Sequence, residues 1–238
     1  MSTMVSQSTR RVPLARVAVG GIALFFVAAV VVAALTPGYS HIREAISGLA
    51  ATDNPAGGLM IAGFVAGAVG FAAAAAVFWQ RFAGITSGRA AAVMTGLGAA
   101  GMLVAGFARQ DCSEYRAGCI DAGAAPLAST HFWVHQYVSL LMFVLLTAMM
   151  FVLARALRRS GRWAGLARPT RIVGAALVVG TLLLMTVGAG DYSGLAQRVY
   201  LGLMAGWPAA VAVLISSRPA RSEEAQSEVA RSEDAQSA

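Results

Sequence analysis

Hydrophobic positions along this chain run continuously, in six blocks at about 17–36, 57–79, 90–108, 131–154, 172–190 and 198–216. Each block is close to the roughly 20 residues a helix needs to cross a hydrocarbon core of about 30 Å. Within lipid the backbone must satisfy its own N–H and C=O groups, which leaves helices and closed barrels. Barrel strands alternate apolar and polar residues over about ten positions, and these blocks do not alternate. The pattern predicts an all-α polytopic membrane protein. Its transmembrane domain is a six-transmembrane-helix bundle over 17–216, preceded by a basic segment at 1–16 and followed by a polar tail at 217–238.

Polar segments between the blocks refine this picture. After the first block, Tyr39-Ser40-His41-Ile42-Arg43-Glu44-Ala45-Ile46-Ser47-Gly48-Leu49 has apolar residues at 42, 45, 46 and 49. Those positions share one helical face. They predict a short amphipathic helix, lying along the membrane surface or folded back into the bundle, with Ser40, His41, Glu44 and Ser47 on its polar side. The tail carries a tandem repeat, Ala220-Arg221-Ser222-Glu223 and then Ala230-Arg231-Ser232-Glu233. With so little apolar surface to bury, it cannot offset the entropy of ordering and is expected to be disordered.

Composition agrees with lipid as the solvent. Of 238 residues, 58% are hydrophobic and 12% charged, against about 25% charged in soluble domains, and the mean hydropathy is +0.67. The formal charge is +7, and every basic residue is Arg. No basic stripe interleaved with aromatics accompanies that charge, so it reads as membrane topology and not as nucleic-acid binding.

Arginine placement orients the bundle, because short cytoplasmic loops carry the excess of Lys and Arg. Arg10, Arg11 and Arg16 precede the first block, Arg81 and Arg89 flank the second loop, and Arg155, Arg158, Arg159, Arg162, Arg168 and Arg171 crowd the fourth. Arg218 follows the last block. The opposite side has Arg43, Arg109, Arg116 and Arg198, offset by Glu44, Asp53, Asp111, Glu114, Asp121 and Asp191. The expectation is a multi-pass protein of the cell membrane with both termini cytoplasmic. An alternative makes the first block a cleaved signal with Val32 and Ala34 at the processing site; its apolar run exceeds the roughly 7–15 residues of a signal core.

The extracytoplasmic side collects the candidate chemistry. Cys112 and Cys119 fall in one loop there, where thiols are oxidised, so a disulfide is favoured over free thiols or metal ligation. His131 and His135 stand four apart, the spacing that stacks two imidazoles on one helix face and lets both hold one zinc ion. His41, with an acid such as Asp111 or Asp191, would complete such a site. Phe132 occupies the position of the glutamate in the zinc-protease motif. The competing reading is a hydrogen-bonded histidine pair. Arg198 enters an apolar span, where a guanidinium needs a route to water or a carboxylate partner such as Asp191, Glu44 or Asp111; an anionic headgroup is the other ligand it suits.

Tyr39 to Leu49 after a first span, and Gly194-Leu195-Ala196-Gln197-Arg198 before a last span ending near Trp207, resemble the prokaryotic membrane family catalogued as domain of unknown function 998. The likeness runs from about residue 15 to 216 and implies a six-helix membrane protein of unknown activity. The serine, the aspartate and the His-x-x-x-His spacing are also similar to the intramembrane metal hydrolases that include alkaline ceramidases, which have seven spans and carry the paired histidines in the last.

These readings predict an extracytoplasmic-facing pocket built from Ser40, His41, Glu44, Ser47, Asp111, His131, His135, Asp191, Gln197 and Arg198. A lipid headgroup or small polar ligand is the leading occupant. Membrane lipids and a membrane-protein partner are the expected partners, and no cofactor is assigned outright. The alternatives are a zinc-dependent lipid hydrolase using His41, His131 and His135, and a small-solute transporter.

Overall fold

The computed structural model describes residues 2–112, 119, 129–187 and 191–217. Nearly all of the predicted disordered tail lies outside the described residues, as do Glu114, Arg116 and Asp121. Six helices carry the fold: α1 (Ser2–Leu35), α2 (Gly57–Arg81), α3 (Thr86–Phe107), α4 (Thr130–Arg159), α5 (Ala167–Val187) and α6 (Ser193–Ser216). Two short 3-10 helices, Ile46–Ala50 and Ala164–Leu166, lie in the connections. All six long helices contain a stretch long and apolar enough to cross a membrane. Most of the described residues are helical and none of them forms a strand, as continuous apolar blocks require.

Helix α4 runs past its apolar block through Arg155, Arg158 and Arg159, because arginine stems cover apolar surface while their heads reach water. Helices α3 and α6 likewise begin several residues before their blocks.

Successive helices pack on one another, and α6 closes the bundle by returning to α1 and α2. Lipid supplies no hydrophobic force between helices, so close approach of small residues must supply the attraction. At the α1–α2 crossing, a Cβ on Gly21 would stand 2.4 Å from the carbonyl oxygen of Ala66. Such a contact admits only glycine. Outward-facing Leu24, Val30, Leu141 and Val179 are exposed and present the apolar surface that lipid covers.

Packing is uneven along the bundle axis. Phe71 and Phe78 of α2 and Phe82 just after it, with Leu146, Met150, Leu153 and Leu157 of α4, are fully buried in the arginine-rich half. There Phe82 meets Trp163 edge-on at 5.7 Å, and Arg81 donates to the carbonyl of Ser216 at 3.1 Å. Near mid-span, Tyr200 Oη lies 2.9 Å from Thr147 Oγ1 and 3.0 Å from Thr181 Oγ1, joining α4, α5 and α6. At the opposite end Glu44, Gln110 and His135 are buried.

The connection after α1 differs from the predicted amphipathic helix. Residues 41–43 form turns and only Ile46–Ala50 is helical, as a 3-10 turn with Ile46, Gly48, Leu49 and Ala50 buried. Ile42 is exposed, so positions 42, 45, 46 and 49 do not share a face. The reason is competition for backbone groups: Gln197 Oε1 accepts from Ile46 N at 2.7 Å, and Leu195 N donates to the Ile42 carbonyl at 3.0 Å. Helix α6 takes the groups an α-helix would pair internally. The segment is therefore folded into the bundle, the second of the two placements expected.

Candidate functional site

The polar end contains three neighbouring arrangements. In the first, Arg198 on α6 holds the loop after α1. Its Nη1 donates to the carbonyls of His41 at 2.7 Å, Glu44 at 2.8 Å and Gly194 at 2.9 Å. Its Nη2 donates to Tyr39 Oη, and the guanidinium carbon lies 5.6 Å from the Tyr39 ring centroid. Tyr39 Oη in turn donates to the carbonyls of Glu44 and Ala45, both at 3.0 Å. The loop's carbonyls thus meet a cation that arrives already positioned by a helix. Glu44 is 5% exposed and accepts from Ser40 N at 2.9 Å through Oε1.

This arrangement revises the partners expected for Arg198. Asp191 instead faces Arg43 at 3.5 Å, with both side chains largely exposed. Asp111 belongs to a different cluster. A turn leaves several carbonyls without ladder partners, and a fork of N–H donors fits them as well as it fits a carboxylate. His41 contributes its carbonyl to Arg198 while its ring sits 5.5 Å from Tyr39. Burial, and then the Arg198 charge, lower the imidazole's pKa from its ordinary value.

The second arrangement anchors the loop between α3 and α4. Ser129 N-caps α4, accepting from Phe132 N at 3.2 Å, and donates its hydroxyl and its amide to the two oxygens of Asp111 at 2.5 and 2.9 Å. His131 Nδ1 donates to the Arg109 carbonyl at 2.7 Å and its Nε2 stands 3.5 Å from Asp111. Burial pushes the Asp111 carboxyl up, but the Ser129 hydrogen bonds and nearby His131 outweigh it, and its pKa lies below the ordinary 3.8. Arg109 donates to the carbonyls of Ala50 and Ala51 at 2.7 and 2.6 Å. Next to Asp111, a disulfide joins Cys112 to Cys119, as expected.

Between these anchors lies the third arrangement, a cavity of about 120 Å³ beneath the 3-10 turn. Phe25, Phe64, Met102, Met142, Phe143 and Leu201 form its apolar walls, and Ser47, Gln110, His135, Gln136, Ser139 and Gln197 its polar ones. His135 is 3% exposed; its Nδ1 donates to the carbonyls of Ala105 at 2.8 Å and Ala108 at 2.9 Å. That tautomer leaves Nε2 as an acceptor. Gln110 is 2% exposed, gives Nε2 to Ser47 Oγ at 3.2 Å, and has an Oε1 buried without a protein partner. Such an atom forfeits its hydration unless something else supplies a donor.

A family described as "Protein of unknown function (DUF998)" matches residues 19–214. The chain belongs to that family. No curated protein and no solved structure matches it. The DUF998 match takes in α2 to α5, most of α6, the second half of α1 and all three arrangements, so loop clamp, anchor and cavity lie within the family's own span.

Of the ten pocket residues predicted, Ser47, His135 and Gln197 line the cavity. Ser40, His41, Glu44 and Arg198 build the clamp over it, while Asp111 and His131 build the anchor. Asp191 lies outside with Arg43. The histidines do not converge: among the described residues, no three His, Cys, Asp or Glu side chains form a group able to hold a metal. His131 and His135 share a helix face but spend their Nδ1 protons on different carbonyls of the α3 end. The sequence reading missed Gln110, Gln136 and Ser139. A signal existed, since His135 and Ser139 repeat the four-residue spacing inside an apolar span.

Proposed function

We propose that this DUF998 protein is a multi-pass protein of the cell membrane, both termini cytoplasmic, that binds a small polar ligand or lipid headgroup in the cavity beneath its first extracytoplasmic loop. The observation that carries the reading is Gln110: a side chain 2% exposed, lining a cavity, with one amide group unpaired within the protein. A buried amide left unmatched costs about 1–3 kcal/mol, and an occupant carrying a hydrogen-bond donor removes that cost. The surrounding mixture of aromatic, methionine and neutral polar walls suits the end of an amphiphile. Orientation rests on the arginines: those at the well-packed end outnumber those at the cavity end, which carries all six carboxylates of the segments between the blocks and the disulfide.

The clamp and anchor are frames for this cavity. Arg198 and Arg109 donate to main-chain carbonyls of the segment that roofs it. Membrane lipids are the partners this reading names first, and a membrane protein docking on the same loops is the second.

Solvent extraction of protein purified from its native membrane tests the proposal. A polar or amphiphilic compound is expected at about one per chain, and Ser139→Leu, which fills the cavity from a part-exposed position, should abolish its recovery. Ligand-free wild-type protein, or equal recovery from Ser139→Leu, would overturn the reading.

A further inference from the structure

Charge is absent from the cavity although it surrounds it. The guanidiniums of Arg198 and Arg109 are aimed at carbonyls of the 39–51 loop, and the Asp111 carboxylate is held by Ser129. None of those three residues lines the cavity. A charged head placed there would be buried without a counter-ion, the most unfavourable form of burial. An uncharged occupant is therefore selected.

The polar atoms specify more. His135 Nε2 is an acceptor. Gln197 has committed its oxygen to Ile46 N, which leaves its amide N–H groups as donors. Gln110 has one group unpaired, and because Ser47 Oγ can accept or donate, either orientation of the amide leaves one such group. The occupant must therefore both donate and accept within a few ångströms. An ester or ether oxygen only accepts and fails this requirement, whereas a hydroxyl meets it. Size narrows the class further: a cavity of about 120 Å³ is somewhat smaller than the one of about 150 Å³ that takes benzene, which is room for about six heavy atoms.

We infer that the cavity recognises an uncharged hydroxyl-bearing head, of the size of a glycerol unit, at the end of an amphiphile or as a free polyol. This rests on the ligand-binding reading above and names the ligand's chemistry. Phosphate-bearing heads are rejected because no cation lines the walls, and heads without a hydroxyl leave His135 and Gln110 unmatched.

The test uses the full chain in phosphatidylcholine nanodiscs with four probes: mono-oleoylglycerol, oleoyl lysophosphatidate, methyl oleate and free glycerol. Mono-oleoylglycerol should bind saturably. Methyl oleate should bind at least about tenfold more weakly, the scale of one lost buried hydrogen bond, and oleoyl lysophosphatidate at least as weakly, because its phosphate would be buried without a counter-ion. Gln110→Met should weaken mono-oleoylglycerol binding by about the same factor, and Ser139→Leu should abolish it. Should Gln110→Met fail to fold, Ser139→Leu decides. Competition by free glycerol would identify a soluble polyol as the source and its absence a lipid; both uphold the hydroxyl.

Equal binding of oleoyl lysophosphatidate, or mono-oleoylglycerol binding unchanged in both variants, would overturn the inference. A ligand recovered by solvent extraction that is not a hydroxyl compound would overturn it too, yet leave the ligand-binding reading standing. No probe bound and no compound recovered would remove both.

Discussion

Gly194 at the start of α6 is pressed against the backbone of Glu44: a Cβ placed on it would lie 2.3 Å from the Glu44 carbonyl oxygen and 2.7 Å from its nitrogen. The loop after α1 and the entry to the last helix are in backbone contact across 150 residues of sequence. Arg198, one helical turn on, donates to that same Glu44 carbonyl. Together they make the roof of the cavity a single unit with α6.

Gly194→Ala should therefore displace the loop. Backbone cannot yield as the tip of a flexible side chain can, and overpacking of this kind costs about 1–3 kcal/mol. Thermal unfolding in nanodiscs should show a lower midpoint, and limited trypsin digestion should cut at Arg43 faster than in wild type. Unchanged cleavage would mean the loop tolerates the methyl group.

Arg198→Lys should fail to rescue what Arg198→Ala loses. The guanidinium reaches three carbonyls and the Tyr39 hydroxyl from one planar fork, a geometry that an ammonium cannot reproduce. Charge-assisted hydrogen bonds contribute about 1.5–3 kcal/mol each when buried, and partial exposure places the net loss near the low end. Equal stability of Arg198→Lys and wild type would show that charge alone suffices.

His135→Ala removes the donor for two carbonyls at the end of α3. A destabilisation of about 1–3 kcal/mol is expected, together with faster amide exchange at Arg109 and Gln110. His135→Asn, whose Nδ2–H donor is as many bonds from Cα as the imidazole Nδ1, should recover part of the loss. Zinc content should be the same for wild type and both variants, since the three histidines do not converge.

Asp111 supplies an acid-range prediction. Its folded pKa is lowered, so the unfolded chain binds a proton there more readily than the folded one. The stabilisation is complete above its ordinary value of 3.8 and is lost as pH falls through the folded value beneath it. Wild type should lose melting temperature more steeply than Asp111→Asn between pH 5 and 3 (about one unit either side of that value). Parallel curves would exclude a role for this carboxylate.

Orientation can be read from the cysteines. Under the proposed topology, a membrane-impermeant maleimide should label Cys112 and Cys119 on intact cells only after reduction, because the two are joined. Labelling that requires permeabilised cells would invert the map and place the cavity on the cytoplasmic side.

Much of the architecture was legible because lipid imposes it. Continuous apolar blocks allow only helices, and the six blocks appear as six helices within a few residues at most ends. Residue 49 joins the buried set as its apolar character suggests, whereas Ile42 in the same pattern is exposed. Periodicity assumed an α-helix, and the side chains of Gln197 and Arg198 had already taken its backbone groups. His131 and His135 show the same limit: spacing put both on one face of α4, and the carbonyls of a neighbouring helix end decided what each ring does.

The sequence by itself determined the number of spans, the helical class, the gathering of polar residues at one end and the pairing of its two cysteines, because each follows from local chemistry: apolar length, backbone satisfaction and proximity along the chain. Only the tertiary structure decided that Arg198 binds carbonyls, that Gln110 is buried with an unpaired group, and that Ser47, His135 and Gln197 share one cavity. Those facts depend on which backbone groups of one segment come within about 3 Å of a side chain far away in sequence. That distance is set by how closely the small residues of α1, α2 and α6 let their neighbours approach.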